Sequence, residues 1–316
     1  MSLKILYYLN IYWLSLAIVA CAKPLIGDET WKAQPITPTF SPSSDNLEWR
    51  GGIVLTSNNP NFGGLSSLNI STDGRTVIAI SDRGQKFTIK LRYDKQGWLV
   101  GADNIKAMGV LINSKGKTMK YTDAEGQTKF RNGTLVSLER KHALWFYPPQ
   151  TKRAQILTRP QSMEKLPANK GIEAITTLKD GNLLLVAEGG EKDSDTLPAW
   201  LGVPGKWKSL RYSFDGSFRP TDAALLPKGN VLILERSFFL TNFSWRLMLI
   251  NQNSIIPNAI LKPRELTTFS FSEVSENMEG LATRVNTEGE TLIYVISDNN
   301  FLSLQQTMLL QFKLLN

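Results

Sequence analysis

Gly171-Ile172-Glu173-Ala174-Ile175, a turn at Asp180-Gly181, then Leu183-Leu184-Leu185-Val186-Ala187-Glu188: this stretch decides the fold. A short apolar run, an Asp-Gly turn and a denser apolar run describe a β-hairpin, because Asp-Gly accepts the positive φ that tight hairpin turns demand. Both open ends of the hairpin carry a carboxylate, Glu173 and Glu188. The same plan recurs four more times. The first copy runs from Ser66 through Gly74 to Asp82, and the second from Glu125 through Gly133 to Glu139. The fourth runs from Asp222 through Gly229 to Glu235, and the fifth from Glu279 through Gly289 to Asp298.

The opening positions stand 48 to 59 residues apart, the size of a four-stranded propeller blade. Third strands are expected at 87–93, 143–147, 209–214, 245–250 and 308–314. The last repeat has room for only three strands, and residues 49–57, with the apolar centre Ile53-Val54-Leu55, can supply the fourth. The sequence therefore predicts an all-β fold: a β-propeller of about five four-stranded blades, with six as the alternative, closed by an N-terminal strand. An open β-sandwich is the other all-β arrangement the pattern allows. The segment 191–208 is long for a blade connection and reads as a lid or an insertion.

Work outward to the N-terminus and the pattern changes. Lys4 precedes an apolar run from Ile5 to Ala20, the form of a secretory signal at 1–20. Ile18-Val19-Ala20-Cys21 has the form of a lipoprotein cleavage box, so Cys21 is the expected lipidation site; ordinary cleavage after Ala22 is the competing reading. Residues 21–46, with Pro24, Pro35, Pro38 and Pro42, read as a tether, and 47–316 as the propeller domain. Ala22 in place of Asp after the cysteine predicts sorting to the outer membrane of a Gram-negative bacterium, on the periplasmic side of the envelope.

Composition narrows the chemistry. Cys21 is the only cysteine and His142 the only histidine, which argues against an internal disulfide and against a zinc hydrolase. Lys and Arg outnumber Asp and Glu by 36 to 28, favouring anionic partners. The basic residues are scattered, so nucleic acid is not an expected partner.

Several segments resemble the bacterial phytase-like domain, also called the esterase-like activity of phytase family. They are Phe62-Gly63-Gly64-Leu65-Ser66, Ser81-Asp82-Arg83-Gly84, Gly171-Ile172-Glu173-Ala174, the stretch from Arg219 to Leu225, and Leu234-Glu235-Arg236. Asn277-Met278-Glu279-Gly280-Leu281 and Ser297-Asp298-Asn299-Asn300-Phe301 complete the set. The resemblance implies an exported propeller that hydrolyses phosphate or carboxylic esters.

The repeat register makes its own prediction. The start of a hairpin's first strand and the end of its second lie at one end, so the ten terminal positions converge on one mouth of the channel. So many acids cannot all ionise together without compensation. Glu173, Asp222 and Glu279 are the candidate catalytic acids. Asp82, Glu188, Glu279 and Asp298 are the candidate Ca²⁺ ligands. Arg83, Arg236 and Ser66 are the candidate contacts for a small anionic ester. The structural alternative is that the acids satisfy backbone groups and bridge neighbouring blades. Two function classes follow: an exported ester hydrolase, or a non-catalytic envelope propeller binding a ligand or protein at the same mouth. Ser66 lacks the flanking glycine of a nucleophile elbow, and His142 reads as a packing residue.

Overall fold

The computed structural model describes residues 30–37, 45–119, 122–192, 194–239, 242–269 and 276–315. The signal segment and Cys21 lie outside the described residues, as does Asp193.

Strands β1 (Trp31–Pro35) and β2 (Leu47–Ser57) precede the repeats. The first repeat folds as β3 (Leu65–Ile70), β4 (Thr76–Ser81), β5 (Gln85–Tyr93) and β6 (Leu99–Val110). The second gives β7 (Ala124–Phe130), β8 (Gly133–Leu138), β9 (Ala143–Tyr147) and β10 (Gln155–Leu157). The third gives β11 (Ile172–Thr177), β12 (Leu183–Ala187), β13 (Thr196–Val203) and β14 (Lys206–Ser213). The fourth gives β15 (Arg219–Leu225), β16 (Val231–Phe239) and β17 (Asn242–Ile250). Its outer strand is β19 (Arg264–Phe269), reached after β18 (Ile260–Leu261), which lies parallel to β14. The fifth gives β20 (Asn277–Val285), β21 (Thr291–Asp298) and β22 (Thr307–Leu314).

The first strands of the groups touch in a closed cycle: β3 with β7, β7 with β11, β11 with β15, β15 with β20, and β20 with β3. Antiparallel sheets radiating from a ring of inner strands are a β-propeller, and the cycle among the described residues runs through β3, β7, β11, β15 and β20. Five buried apolar clusters fill the wedges between neighbouring groups. The alternation of each strand is what feeds two wedges at once. On β12, Leu184 and Val186 enter the wedge toward the fourth group, while Leu183 and Leu185 enter the wedge toward the second.

The ring closes through β2, which pairs antiparallel with β22 in the register Trp49↔Phe312 and Leu55↔Thr307. The Trp49 and Phe312 rings meet edge to face at 5.4 Å. At Gly51 the same strand touches the first group, pairing with Leu99 of β6. A Cβ on Gly51 would strike the Leu99 carbonyl, and its φ of 107° also suits glycine alone.

Two segments differ from the sequence expectation. Residues 31–35, inside the stretch read as a tether, form β1 and pair with β2. Trp31 supplies the reason: its ring packs 5.1 Å from Phe62 and 6.1 Å from Phe87. The third strand of the third repeat is Thr196–Val203, and the stretch expected at 209–214 belongs to the fourth strand. Pro198 and Gly202 disguise an alternating pattern there. Leu197, Ala199 and Leu201 face one wedge, and Trp200 the other. The segment 191–208 is therefore mainly blade.

Candidate active site at the acidic mouth

Each inner hairpin slips its ladder at one place. Leu65 pairs with Ser81, and the ladder resumes at Ser67; Ala124 pairs with Leu138 and resumes at Gln127. Ile172 pairs with Ala187, Pro220 with Glu235 and Met278 with Ser297, resuming at Ala174, Asp222 and Gly280. The residues left out of register are Ser66, Glu125 with Gly126, Glu173, Thr221 and Glu279. A bulge re-aims its side chain and strengthens local twist. The next residue on each second strand is Asp82, Glu139, Glu188, Arg236 or Asp298. These ten positions are structurally equivalent across the groups.

In the fourth group the equivalent positions are thus Thr221 and Arg236, one residue from Asp222 and Glu235, which the sequence register assigned. A signal for this was present. Eight residues separate Ser66 from Gly74, Glu125 from Gly133 and Glu173 from Gly181, and the same step back from Gly229 reaches Thr221.

The mouth brings together Glu139, Glu173 and Glu188, each offering an oxygen within 4.8 Å of the others; Asp123, Glu125 and Glu139 form a second such set. Arg236 crosses between groups. Its Nε donates to Glu279 at 2.9 Å, and its Nη2 lies 3.9 Å from Glu188. Asn277 donates to the same Glu279 oxygen at 2.7 Å. Asp298 accepts the Asn300 N–H at 2.6 Å. Arg140 pairs with Asp123 at 2.7 Å. Asp123 is not among the candidates named from the sequence, and its position two residues before Glu125 is the signal that points to it.

Crowding and burial raise the carboxyl pKa values. Burial is the largest cause for Glu173, followed by Glu188, Glu279 and Glu125, with Arg236 opposing. Burial likewise leads for Glu125, with Glu279, Glu139, Asp123 and Asp82 adding to it. Glu139 is pushed up to about 7 by burial and by Asp123 and Glu188. Asp298 is also pushed up to about 7, by burial and then Glu279, against the Asn300 N–H. Burial raises Glu279 and Asp82 too, against Arg236 and Asn277 for the first and the Arg83 N–H for the second. Burial works against the charge of Arg236, but Glu279, Glu173 and Glu188 outweigh it and raise its pKa. Groups poised near neutrality can give and take protons at physiological pH.

Other candidates stand outside this cluster. Asp222 is wholly buried and accepts the N–H groups of Leu281 and Ala223, both at 2.7 Å. It ties β15 to the next inner strand. Glu235 accepts Tyr212 Oη at 2.6 Å and the Arg246 guanidinium. Ser66 is buried and donates to the Gly64 carbonyl at 3.2 Å. Arg83 stacks on Phe301, 3.4 Å above the ring. His142 is buried, with Nε2 3.2 Å from the Leu166 carbonyl oxygen.

Topology and site together define a β-propeller with an acidic channel mouth. The phytase-like family, described as esterase-like activity of phytase, matches residues 60–301, and the chain belongs to it. Among solved structures, the chain is similar to an endo-arabinase from Bacteroides thetaiotaomicron. The TM-score is 0.48 at 10% identity, covering 81% of this chain and 95% of that one. A luciferin-regenerating enzyme gives 0.42 at 11% identity, covering 90% and 95%. A nidogen/laminin complex gives 0.41 at 8%, covering 89% and 96%. At such scores the fold assignment rests on the strand topology. No curated protein matches the sequence.

Proposed function

We propose that the mouth is the active site of an exported hydrolase of phosphate or carboxylic esters, assisted by Ca²⁺. Membership of the phytase-like family supports hydrolysis. The observation that carries the reading is Glu173. It is 6% exposed, and its Oε2 has no hydrogen-bond partner among the described residues. A buried, unpaired carboxylate oxygen costs free energy unless a proton, a cation or a substrate meets it.

The donor set fits a hard cation, since all of it is oxygen and the Glu139, Glu173 and Glu188 atoms lie within one coordination sphere's span. Glu188 belongs to the ligand set expected from sequence, Glu139 and Glu173 extend it, and Asp82, Glu279 and Asp298 line its surroundings. Bound there, Ca²⁺ supplies charge neutralisation and polarises an ester oxygen. Arg236 holds an anionic ester oxygen by its guanidinium, with Arg83 as the outer cation beside Phe301. Asp298, outside both oxygen clusters, exchanges protons with water and the leaving group.

The test is turnover of p-nitrophenyl phosphate and p-nitrophenyl acyl esters by purified 23–316, with Ca²⁺ and with chelator. Chelator-sensitive turnover is expected, and Glu173→Gln should lower kcat/KM by about 100-fold or more. Folded protein that turns over neither ester class sinks the hydrolase reading.

Export and anchoring belong to the same proposal. Lipidated Cys21 would hold the protein in the outer membrane facing the periplasm, and Cys21→Ser should move it to the soluble fraction. Wild-type protein that is already soluble after export overturns the anchor.

One observation favours a binding propeller instead. Phe238 and Phe239, at the end of β16 beyond Arg236, and Leu304, in the connection that follows Asp298, are 57%, 74% and 94% exposed. A Ca²⁺-dependent rise in melting temperature without turnover of any ester selects that reading.

A further inference from the structure

The wedge between the first and second groups is filled differently from the others. Among the described residues it holds seven buried apolar side chains, whereas the other wedges hold twelve to eighteen. A cavity of about 760 Å³ lies there, between β5 and β6 on one side and β7 to β9 on the other. That is the size of an ordinary small-molecule pocket.

Its charge is one-sided. Lys86, Lys129, Arg131 and Lys152 line it, and among the described residues no carboxylate does. Lys129 already donates to the Ile70 carbonyl. Lys86 is half-buried, and its ammonium has neither an ion-pair nor a hydrogen-bond partner among the described residues. Burial lowers the pKa of Lys86, the mark of a cation lacking a counter-charge. The Tyr147 hydroxyl, also on the wall, is buried without a hydrogen-bond partner among the described residues. Beside these donors, Met108 and Val110 present apolar surface, 47% and 37% exposed.

We propose that this wedge is a binding site for an anionic group, phosphate or carboxylate, carried on an apolar body. The anion meets Lys86, Lys152 and Arg131 and accepts the Tyr147 hydroxyl proton in a hydrogen bond. The apolar body covers Met108 and Val110. The site is separate from the acidic mouth, whose carboxylates would repel the same ligand in the absence of a cation.

Calorimetric titration of the full mature chain with octyl phosphate, inorganic phosphate and octanol, in chelator, tests this. Octyl phosphate should bind one per chain, at least tenfold more tightly than inorganic phosphate or octanol, and more weakly as NaCl rises. Lys86→Met combined with Lys152→Met should weaken it at least tenfold. A melting curve reports whether that variant folds. If it does not, Lys152→Met alone, at an exposed position, must still lower the affinity. Octanol binding as tightly as octyl phosphate, or affinity unchanged in the lysine variants, overturns the proposal. Inorganic phosphate binding as tightly as octyl phosphate assigns the site to the free ion and overturns the apolar half.

Discussion

The fourth repeat and the other four solve the same structural problem with opposite charges. At the equivalent position of the second strand, four repeats place Asp82, Glu139, Glu188 and Asp298, and the fourth places Arg236. At the bulge, three repeats place Glu125, Glu173 and Glu279, while the first has Ser66 and the fourth Thr221. The fourth repeat keeps its acids one residue away, at Asp222 and Glu235. There they meet two backbone N–H groups in one case, and a tyrosine and an arginine in the other. A ring built from one acidic pattern needs a counter-charge from within, and a one-residue displacement of that pattern provides it. The same displacement turns Asp222 into a tie between inner strands and Glu235 into a link from β16 to β14 and β17.

Arg236→Glu restores the pattern of the other four repeats and should break the ring. It removes the partner of Glu279 and adds a like charge among buried acids. Losing one member of a buried pair costs about 3–5 kcal/mol, so urea unfolding at pH 7.5 should show a loss of that order. Much of it should return at pH 5.5, where protons neutralise the neighbours. A variant as stable as wild type at pH 7.5 would show that Arg236 is not the counter-charge.

The next effect is smaller and lies on the supporting side. Asp222→Ala strands the N–H groups of Leu281 and Ala223 in a buried place, at about 1–3 kcal/mol each, but also removes a carboxyl whose burial opposes its charge, leaving a net loss of about 1–3 kcal/mol. Stability should fall by about that amount, while the Ca²⁺-induced shift in melting temperature stays as in wild type. A variant that loses the calcium response without losing stability would return Asp222 to the site.

How much of this was legible follows from which signals are local. The hairpin announced by Asp180-Gly181, with Gly181 at a φ of 83°, depends on short-range backbone preference, and the closing strand follows from the missing fourth strand of the last repeat. β1 was hidden because its anchor is a tertiary contact, Trp31 against Phe62 and Phe87. β13 was hidden by Pro198. The convergence of acids on one mouth followed from topology alone. Its membership turned on a one-residue frame. That frame is set by bulges, which leave little trace in composition, and here only the eight-residue spacing to the turn glycine in the first three repeats betrays it.

The smallest expected effect concerns protons, and it separates the two kinds of acid most finely. Glu139 and Asp298 hold their protons up to about 7 in the folded chain, while ordinary unfolded carboxyls release them near about 4. Between those values the folded state binds more protons, so stability falls as pH climbs through the window and levels off above it. Below the unfolded value the contribution is fully present. The melting temperature should therefore be higher at pH 5.5 than at pH 8, and Glu139→Gln with Asp298→Asn should flatten that slope. Calcium competes with the same protons, so it should raise the melting temperature more at pH 8 than at pH 5.5. Glu139→Gln alone should reduce that gain, because Glu139 belongs to both oxygen clusters. Asp298→Asn changes an acid outside both clusters, and should leave more of the gain in place. Equal calcium responses in the two single variants would mean that the ion, if bound, is held elsewhere on the mouth. A slope unchanged in the double variant would mean that other groups carry the protons.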